Sequence, residues 1–387
     1  MLTILKALKR RLRKIAFILT HIGEARRMAY DPALTKTYFA DQELKSKPRI
    51  FLDLLWWLVR FGEVNAYSYY YGFDRKRGDR MEEYIDYPNF KRIRNMYNNR
   101  VAIGRHTASY ECILKDKFVF SQVLKALGFP TPAVIAFCLG DHVHWTAPHR
   151  ITGYDELGSV ERLDAFCKPF LGECAEGAFR LIVDGKKLLR NDEEISIEEL
   201  RGILREGYII QEYVVQHPRL AEMHAGSVAT LRLVTIASGK EIALLESCLK
   251  IGTGGIVVSN FAAGGLIGEA DPATGKLVRE FYGKPDHGGG RVQRHPDSGI
   301  VFEGFEVPFY FEAVAMAKDL QRRLYGLRSI GWDIAIGLDG PIVIEGNDNW
   351  ELTQTPLTGM RREFYRLLPD RGMRSDPVDV LTGSGTV

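Results

Sequence analysis

The period of the hydrophobic positions changes several times along the chain, and each change predicts an element. Leu5, Leu8, Leu12, Ile15 and Leu19 recur at helical spacing and predict a long amphipathic helix over residues 1–30. Residues 31–100 read as helical and aromatic-rich, with YSYYYGFD at 67–74. From about residue 110 the pattern shifts. DKFVFSQVLKALG predicts a helix opened near Asp116 and closed by Gly128, and the PAVIAF that follows predicts a strand. Residues 165–185 read as strand, glycine-punctuated loop, strand and an Asp184-Gly185 turn. Residues 207–218 read as a strand running into a polar segment. Two strands, 227–236 and 241–251, flank a Ser238-Gly239 turn. A long Gly- and His-containing stretch covers 283–308, and loops of that length are usually functional or disordered. PFYFEAVAMAKDLQRRLYGL then predicts an amphipathic helix, and the chain fades into a polar tail.

The sharpest pattern is GWDIAIGLDGPIVIEGNDN, residues 331–349. Two short β-branched runs around Leu-Asp-Gly predict a hairpin with a three-residue loop, in which Gly340 takes a positive φ and forms the bulge. That loop sets Asp333 directly opposite Glu345. It also puts Ile334, Ile336, Ile342 and Ile344 on one face, and Asp333, Glu345 and Asn347 on the other. Carboxylates facing each other across a ladder lie roughly 5 Å apart and repel, so a cation between them is expected. Two carboxylates and an amide oxygen are hard donors suited to Mg²⁺. A solvated polar face on an edge hairpin is the plainer alternative.

Composition narrows the class. The chain has 387 residues, 45% hydrophobic and 26% charged, enough for two domains or for one domain with an extension. A net charge of +3 predicts no nucleic-acid partner. Five cysteines, at 112, 138, 167, 174 and 248, include no CxxC pair, which argues for a reducing compartment and against a disulfide framework or a zinc site. No run of about 18 apolar residues predicts a membrane span, and the N-terminus is a poor signal peptide, so the expected location is cytoplasmic. Lys6, Lys9, Arg10, Arg11, Arg13 and Lys14 surround the apolar stripe of the first helix. A basic amphipathic helix of this kind can lie on an anionic surface, giving a peripheral contact through residues 1–27 at the inner membrane face. Packing on its own domain is the plainer alternative.

Other residues carry candidate chemistry. Lys168 ends a strand before a loop punctuated by Gly172 and Gly177. Loop amides and a lysine can cradle a polyphosphate, although a plain hairpin loop fits as well, and no GxxxxGK[ST] pattern is present. Arg232 interrupts an apolar strand and Lys250 ends another. Buried charges there need partners, either a carboxylate or phosphate ligand or an internal ion pair, for example with Glu246.

An acidic residue ending one strand and Glu-x-Asn ending the next resemble the metal-binding segment of the ATP-grasp superfamily. SVATLRLVT, the Ser-Asn…Gly-Gly segment at 259–265, HPDSG followed by F.G..VP, and the hairpin together resemble one branch of it, the sugar-transfer associated ATP-grasp family, over about residues 110–365. The resemblance implies an α+β ATP-grasp fold, two subdomains sandwiching ATP, behind a helical N-terminal region at 1–109. The first subdomain would span 110–210 with the phosphate-binding loop, the second 211–370 with the metal hairpin, and 371–387 would form the tail. It implies Mg²⁺ on Asp333, Glu345 and Asn347. Lys117, Lys168 and the loop at Gly172 and Gly177 would hold the phosphates. Gln211, Glu212, Tyr213 and Val214 would lie against the adenine, read by backbone groups and an acidic side chain. Arg232, and with it Lys250, would take the catalytic place beside an acylphosphate. The implied activity is an ADP-forming ligase joining a glycan or uronic-acid carboxylate to an amine acceptor in polysaccharide biosynthesis. A kinase on the same fold, or a non-catalytic nucleotide-binding protein of a membrane-surface assembly complex, are the alternatives.

Overall fold

The computed structural model describes all residues except 1, 32–33, 79, 100, 104–105, 173–175, 186, 239–240, 256–260, 262–263, 352–359 and 368–387. Of residues 2–14, 87–89, 99, 101–103, 106–107 and 360–362 it describes the backbone alone. The expected polar tail at 371–387 and Cys174 therefore lie outside the described residues.

The N-terminal region contains α1 (Leu2–Tyr30), α2 (Lys47–Phe61) and α3 (Tyr87–Asn99), followed by a small hairpin of β1 (Val101–Ile103) and β2 (His106–Ala108). Residues 62–86 form turns and one short 3₁₀ turn, not the helix their aromatic content suggested. Gly62 and Gly72 explain the break, since both take left-handed backbone, and a Cβ on Gly72 would lie 2.6 Å from the Phe39 ring. The aromatic residues there are core: Trp57, Phe61, Tyr71, Phe73 and Tyr84 pack together. The last turns of α1 pack on α2 through Ala25, Met28 and Ala29 against Ile50, Leu54 and Leu58. The expected apolar stripe of α1 is not the packed face where its side chains are described: Ile15 is 54% exposed and Leu19 64%. No helix among the described residues is long and apolar enough to cross a membrane.

Two short helices, α4 (Cys112–Lys115) and α5 (Lys117–Ala126), lead into the first sheet. Asp116 caps α5, its carboxylate accepting from the amides of Phe118 and Val119, and Gly128 follows the helix with φ +77°, as the sequence predicts. The chain then forms β3 (Val134–Leu139), β4 (His142–Thr146), β5 (His149–Thr152), α6 (Tyr154–Gly158), β6 (Arg162–Pro169), β7 (Phe179–Asp184), β8 (Lys187–Arg190), β9 (Glu193–Glu194), α7 (Ile197–Leu204) and β10 (Tyr208–Glu212). These strands make one antiparallel sheet in the order β5-β4-β3-β10-β6-β7-β8-β9. Helices α6 and α7 bury Leu157, Leu200 and Leu204 against its apolar face.

After α8 (Pro218–Met223) come β11 (Thr230–Ser238), β12 (Glu241–Ile251), β13 (Leu266–Ala270), β14 (Leu277–Gly283), β15 (Arg291–Val292), α9 (Tyr310–Arg323), β16 (Ser329–Ile336), β17 (Pro341–Asn347) and α10 (Met360–Leu367). The second sheet runs β15-β14-β13-β12-β11-β16-β17. Alternation along its strands decides where the site lies. Leu231, Leu233, Leu249, Ile251, Trp332, Ile334 and Ile336 point to one face and pack under α5 and α9. On the other face Val234 and Ile236 are covered by α3 and α10 through Phe90, Ile93 and Phe364. One end of that same face carries Thr230, Arg232, Lys250 and Asp333 instead, next to the first sheet.

The hairpin register differs from its prediction in an instructive way. The loop has four residues, 337–340, with Ile336 opposite Pro341 and Ile334 opposite Val343. A bulge then skips Ile344 and restores Asp333 opposite Glu345, with Gly331 opposite Asn347. The predicted four-isoleucine face is therefore wrong. Val343 joins Ile334 and Ile336 in the core, while Ile342 pairs with Ala335.

Candidate active site

Asp333 is nearly buried at the middle of β16. Across the ladder, Arg232 donates to it twice, Nε to Oδ1 at 2.8 Å and Nη2 to Oδ2 at 3.0 Å. From the next strand Lys250 Nζ reaches Oδ1 at 2.7 Å. Burial favours the protonated acid, but the two cations outweigh it and hold Asp333 below its ordinary range. Burial also works against the charge on Arg232, and Asp333 overcomes it to raise that pKa. For Lys250, burial and the neighbouring Arg232 win, and its pKa falls despite Asp333. The charged residues that the sequence placed in apolar strands thus pair with Asp333. Glu246 also faces Arg232 electrostatically.

The first sheet adds two lysines. Lys117, in the first turn of α5, donates to the carbonyl of Gly172 at 2.8 Å and lies 3.7 Å from Glu345 Oε1. Lys168 stands on β6 within the field of Glu345, Lys117 and Asp333; burial above all, together with Lys117, pushes its pKa down to about 8. Four cations from four separate elements, Lys117, Lys168, Arg232 and Lys250, therefore face the carboxylates of Asp333, Glu345 and Glu246. Of the loop between β6 and β7, Gly172 (φ +141°) and Gly177 (φ +74°) are described. Gly177 accepts from the Tyr208 hydroxyl, and a Cβ there would sit 2.8 Å from that oxygen.

The repulsion between Asp333 and Glu345 needs no metal to explain it, since Arg232 and Lys250 already neutralise Asp333. The donor set nevertheless fits a hard cation. Three of roughly four lone-pair sites on Asp333 are taken. Glu345 lies beside Asp333, and Asn347 donates its amide to the Gly331 carbonyl at 3.3 Å, so its oxygen is the atom it can offer. Oxygen donors from Asp333, Glu345 and Asn347 would suit Mg²⁺.

The segment leaving β10 is less as expected. The Gln211 side chain is buried and donates to the Pro132 carbonyl at 3.2 Å. The amides of Glu212 and Tyr213 donate to Ala133 and Asp164 carbonyls, at 2.9 and 3.4 Å. Those two amides are thus spent within the protein. The Tyr213 ring lies 4.0 Å beneath the Arg180 guanidinium, which pairs with Asp164.

One polar cluster had no role assigned from sequence. His224 follows α8, and His295 and Asp297 belong to the HPDSG turn of the 283–308 stretch. That stretch is ordered, with a 3₁₀ turn, β15 and a bridge between Arg294 and Val301. Among the described residues it brings the two histidines and Asp297 together beyond the end of β12. The HPDSG motif was visible in the sequence; its partner His224, distant in the chain, was not.

With this geometry in view, comparison with protein families is decisive. The model of the sugar-transfer associated ATP-grasp family matches residues 97–364. The chain belongs to that family. The two antiparallel sheets, the helices over them and the helical N-terminus are the α+β architecture expected for an ATP-grasp protein. No curated protein matches this family member. Among solved structures, it is similar to an ADP complex of N5-carboxyaminoimidazole ribonucleotide synthetase, at 13% identity over 66% of this chain and 51% of that one, with a TM-score of 0.39. The corresponding synthase from Aspergillus clavatus matches at 11% identity, over 67% and 53% of the two chains, with a TM-score of 0.37. D-alanine–D-alanine ligase from Bacillus anthracis matches at 15% identity over 72% of each chain, with a TM-score of 0.36. This family member spans about half the length of the two synthetase chains.

Proposed function

We propose that this protein is an ATP-dependent, ADP-forming carboxylate–amine ligase. The observation that carries the reading is the convergence of Lys117, Lys168, Arg232 and Lys250 on Asp333 and Glu345, where the two sheets meet. A cluster of cations beside oxygen donors complements a polyphosphate and its metal, and phosphoryl transfer asks the protein mainly for charge neutralisation and positioning. Bound Mg²⁺ would neutralise phosphate oxygens, and ATP would supply the phosphoryl group that activates a carboxylate as an acylphosphate. Asp333, Glu345 and Asn347 are the residues to hold the ion. Lys117 and Lys168, with the backbone at Gly172 and Gly177, would hold phosphates. Arg232, bonded twice to Asp333, would steady the activated carboxylate, with Lys250 beside it. The polar segment from Gln211 to Val214 is the place for the base, with the Val214 backbone and the Glu212 side chain as its contacts.

The family's association with sugar transfer points to a glycan or uronic-acid carboxylate as the acceptor of the phosphoryl group. The test is product analysis with Mg-ATP, D-glucuronate and hydroxylamine, which traps acylphosphates as hydroxamates. The ligase reading expects ADP, phosphate and hydroxamate in equal amounts across a screen of such carboxylates. A stable phosphorylated sugar would make the protein a kinase instead.

A further inference from the structure

The β16–β17 ladder stops at the pair Gly331–Asn347, so Asn347 stands on the last rung, where strands otherwise fray. Beyond that rung lie Ser329, the first residue of β16, and Asp348, the first residue after β17. Asn98, near the end of α3 and 1% exposed, joins the two. Its Nδ2 donates to the Ser329 carbonyl at 2.9 Å and to the Asp348 carbonyl at 2.8 Å. Its Oδ1 accepts from the Ser329 amide at 2.9 Å and from the Ser329 hydroxyl at 3.2 Å. An asparagine side chain can donate twice and accept twice, and here all four positions are used. Two carbonyls on one side and two donors on the other settle which atom is the nitrogen. The side chain thus supplies the rung that the ladder lacks.

The same face of α3 grips the chain further on. Phe90, Arg94 and Asn98 follow one another at four-residue spacing and share that face. Arg94 is also 1% exposed. Its guanidinium donates to the Trp350 carbonyl and to Asn349 Oδ1, and it reaches Glu351 Oε1 at 3.4 Å. The Trp350 indole donates to Ser329 Oγ at 3.0 Å and meets the Phe90 ring edge-on at 5.1 Å. A Cβ on Gly331 would lie 2.5 Å from the Trp350 Cβ, so this tryptophan packs directly on Gly331. The Gly331 carbonyl is the one that accepts from Asn347 Nδ2. The hold of α3 therefore reaches Asn347 twice, through its chain neighbour Asp348 and through its cross-strand partner Gly331.

We infer that Asn98, with Arg94 beside it, is a positioning residue for the divalent cation. It fixes the open end of the hairpin, so that Asn347 and Glu345 present their oxygens together. The inference rests on the metal site of the proposed function and adds the element that sets its geometry. Asn98 acts through Asp348 and Gly331, not on the ion itself. Mg²⁺ asks for near-octahedral oxygens at about 2.0–2.1 Å, which a ligand on a fraying rung does not hold. Partners that orient a metal ligand are typically worth about 10–100-fold in metal affinity. A purely structural role for α3 predicts something else, a loss of stability that affects binding with and without metal alike.

The experiment is isothermal titration of a non-hydrolysable ATP analogue into the full chain, once with Mg²⁺ and once with EDTA. The metal–analogue complex in solution is the same for every variant, so differences between variants report the site. Asn98→Ala removes all four bonds without adding charge. It should bind the analogue about 10–100-fold more weakly than wild type with Mg²⁺ and equally well with EDTA, since Lys117 and Lys168 are untouched. Tyr97→Phe is the control on the same helix. It loses the hydroxyl's bond to the Ala237 carbonyl and should match wild type in both arms. Arg94→Lys keeps a charge beside Glu351 but not the branched grip on residues 349 and 350. It should weaken the Mg²⁺ arm in the same direction, and it carries the test if circular dichroism shows Asn98→Ala unfolded. Wild-type affinity in the Mg²⁺ arm, or an equal loss in both arms, overturns this inference and leaves the functional reading standing. No binding of the analogue by the wild type in either arm overturns the functional reading, and this inference with it.

Discussion

Arg232 clasps Asp333 through both arms of its guanidinium, at 2.8 and 3.0 Å, and Lys250 adds a third bond at 2.7 Å. Removing one partner of a buried ion pair leaves the others uncompensated, at a cost of about 3–5 kcal/mol. Asp333→Ala should therefore lower stability by that order in a denaturant titration, although it removes a like-charge neighbour of Glu345. The sign with pH follows from the shift. Asp333 sits below its ordinary pKa in the fold, so its contribution is full above the unfolded value near 3.8 and is lost as pH falls through the folded one. Wild type should thus lose more stability on acidification than Asp333→Ala does. Equal acid sensitivity would contradict the pairing.

Lys168 gives the same sign in a higher pH range, but here the charged form is the one the fold disfavours. Its pKa is pushed down to about 8, from 10.5, chiefly by burial. Between those values the unfolded chain binds the proton that the folded chain has released, so this group makes stability rise with pH. Below pH 8 its charge is a burden in the nucleotide-free protein. Lys168→Met should raise the melting temperature at pH 7 and narrow its rise toward pH 10. A lowered melting temperature at pH 7 would show that the charge is already compensated within the protein.

Much of this arrangement was legible from local signals. Asp116 and Gly128 mark the ends of α5 because capping is local chemistry. The Lys168 strand, its glycine loop and the Asp333–Glu345 pairing are also short-range patterns. What escaped depends on contacts distant in sequence. Arg232 and Asp333 are 101 residues apart, so the sequence showed that the arginine needed a partner but not which one. The bulge at Ile344 is invisible in a run of isoleucines, where either face is equally apolar. Residues 62–86 are aromatic without a helical period, and Gly62 and Gly72 decide their path. His224 gave no signal until the HPDSG turn was folded against it.

Glu345 is the carboxylate of the hairpin not committed to Arg232, and under the proposed function it takes the metal. Glu345→Gln should keep the fold, since its neighbours Lys117 and Asp333 retain other partners. Turnover should fall by at least a hundredfold, because a neutral amide does not compensate a divalent cation. Full activity at saturating Mg²⁺ would remove Glu345 from the metal site.

The first helix offers Ile15 and Leu19 to solvent while its last turns pack on α2. The proposal of a peripheral membrane contact predicts pelleting with anionic liposomes that weakens with salt, as charges are screened within about 10 Å at 0.1 M. Ile15→Ser/Leu19→Ser should weaken it without changing nucleotide affinity. Indifference of the wild type to anionic liposomes would rule the contact out.

The most direct measurement is isothermal titration of Mg-ATP into wild type and Lys168→Ala. A charge-assisted hydrogen bond to phosphate is worth about 1.5–3 kcal/mol, so the account predicts saturable 1:1 binding weakened by roughly 10- to 150-fold in the variant. Binding should also weaken when Mg²⁺ is chelated. Unchanged affinity in Lys168→Ala, or no binding of Mg-ATP by the wild type, would contradict the assignment of this cluster as the phosphate site.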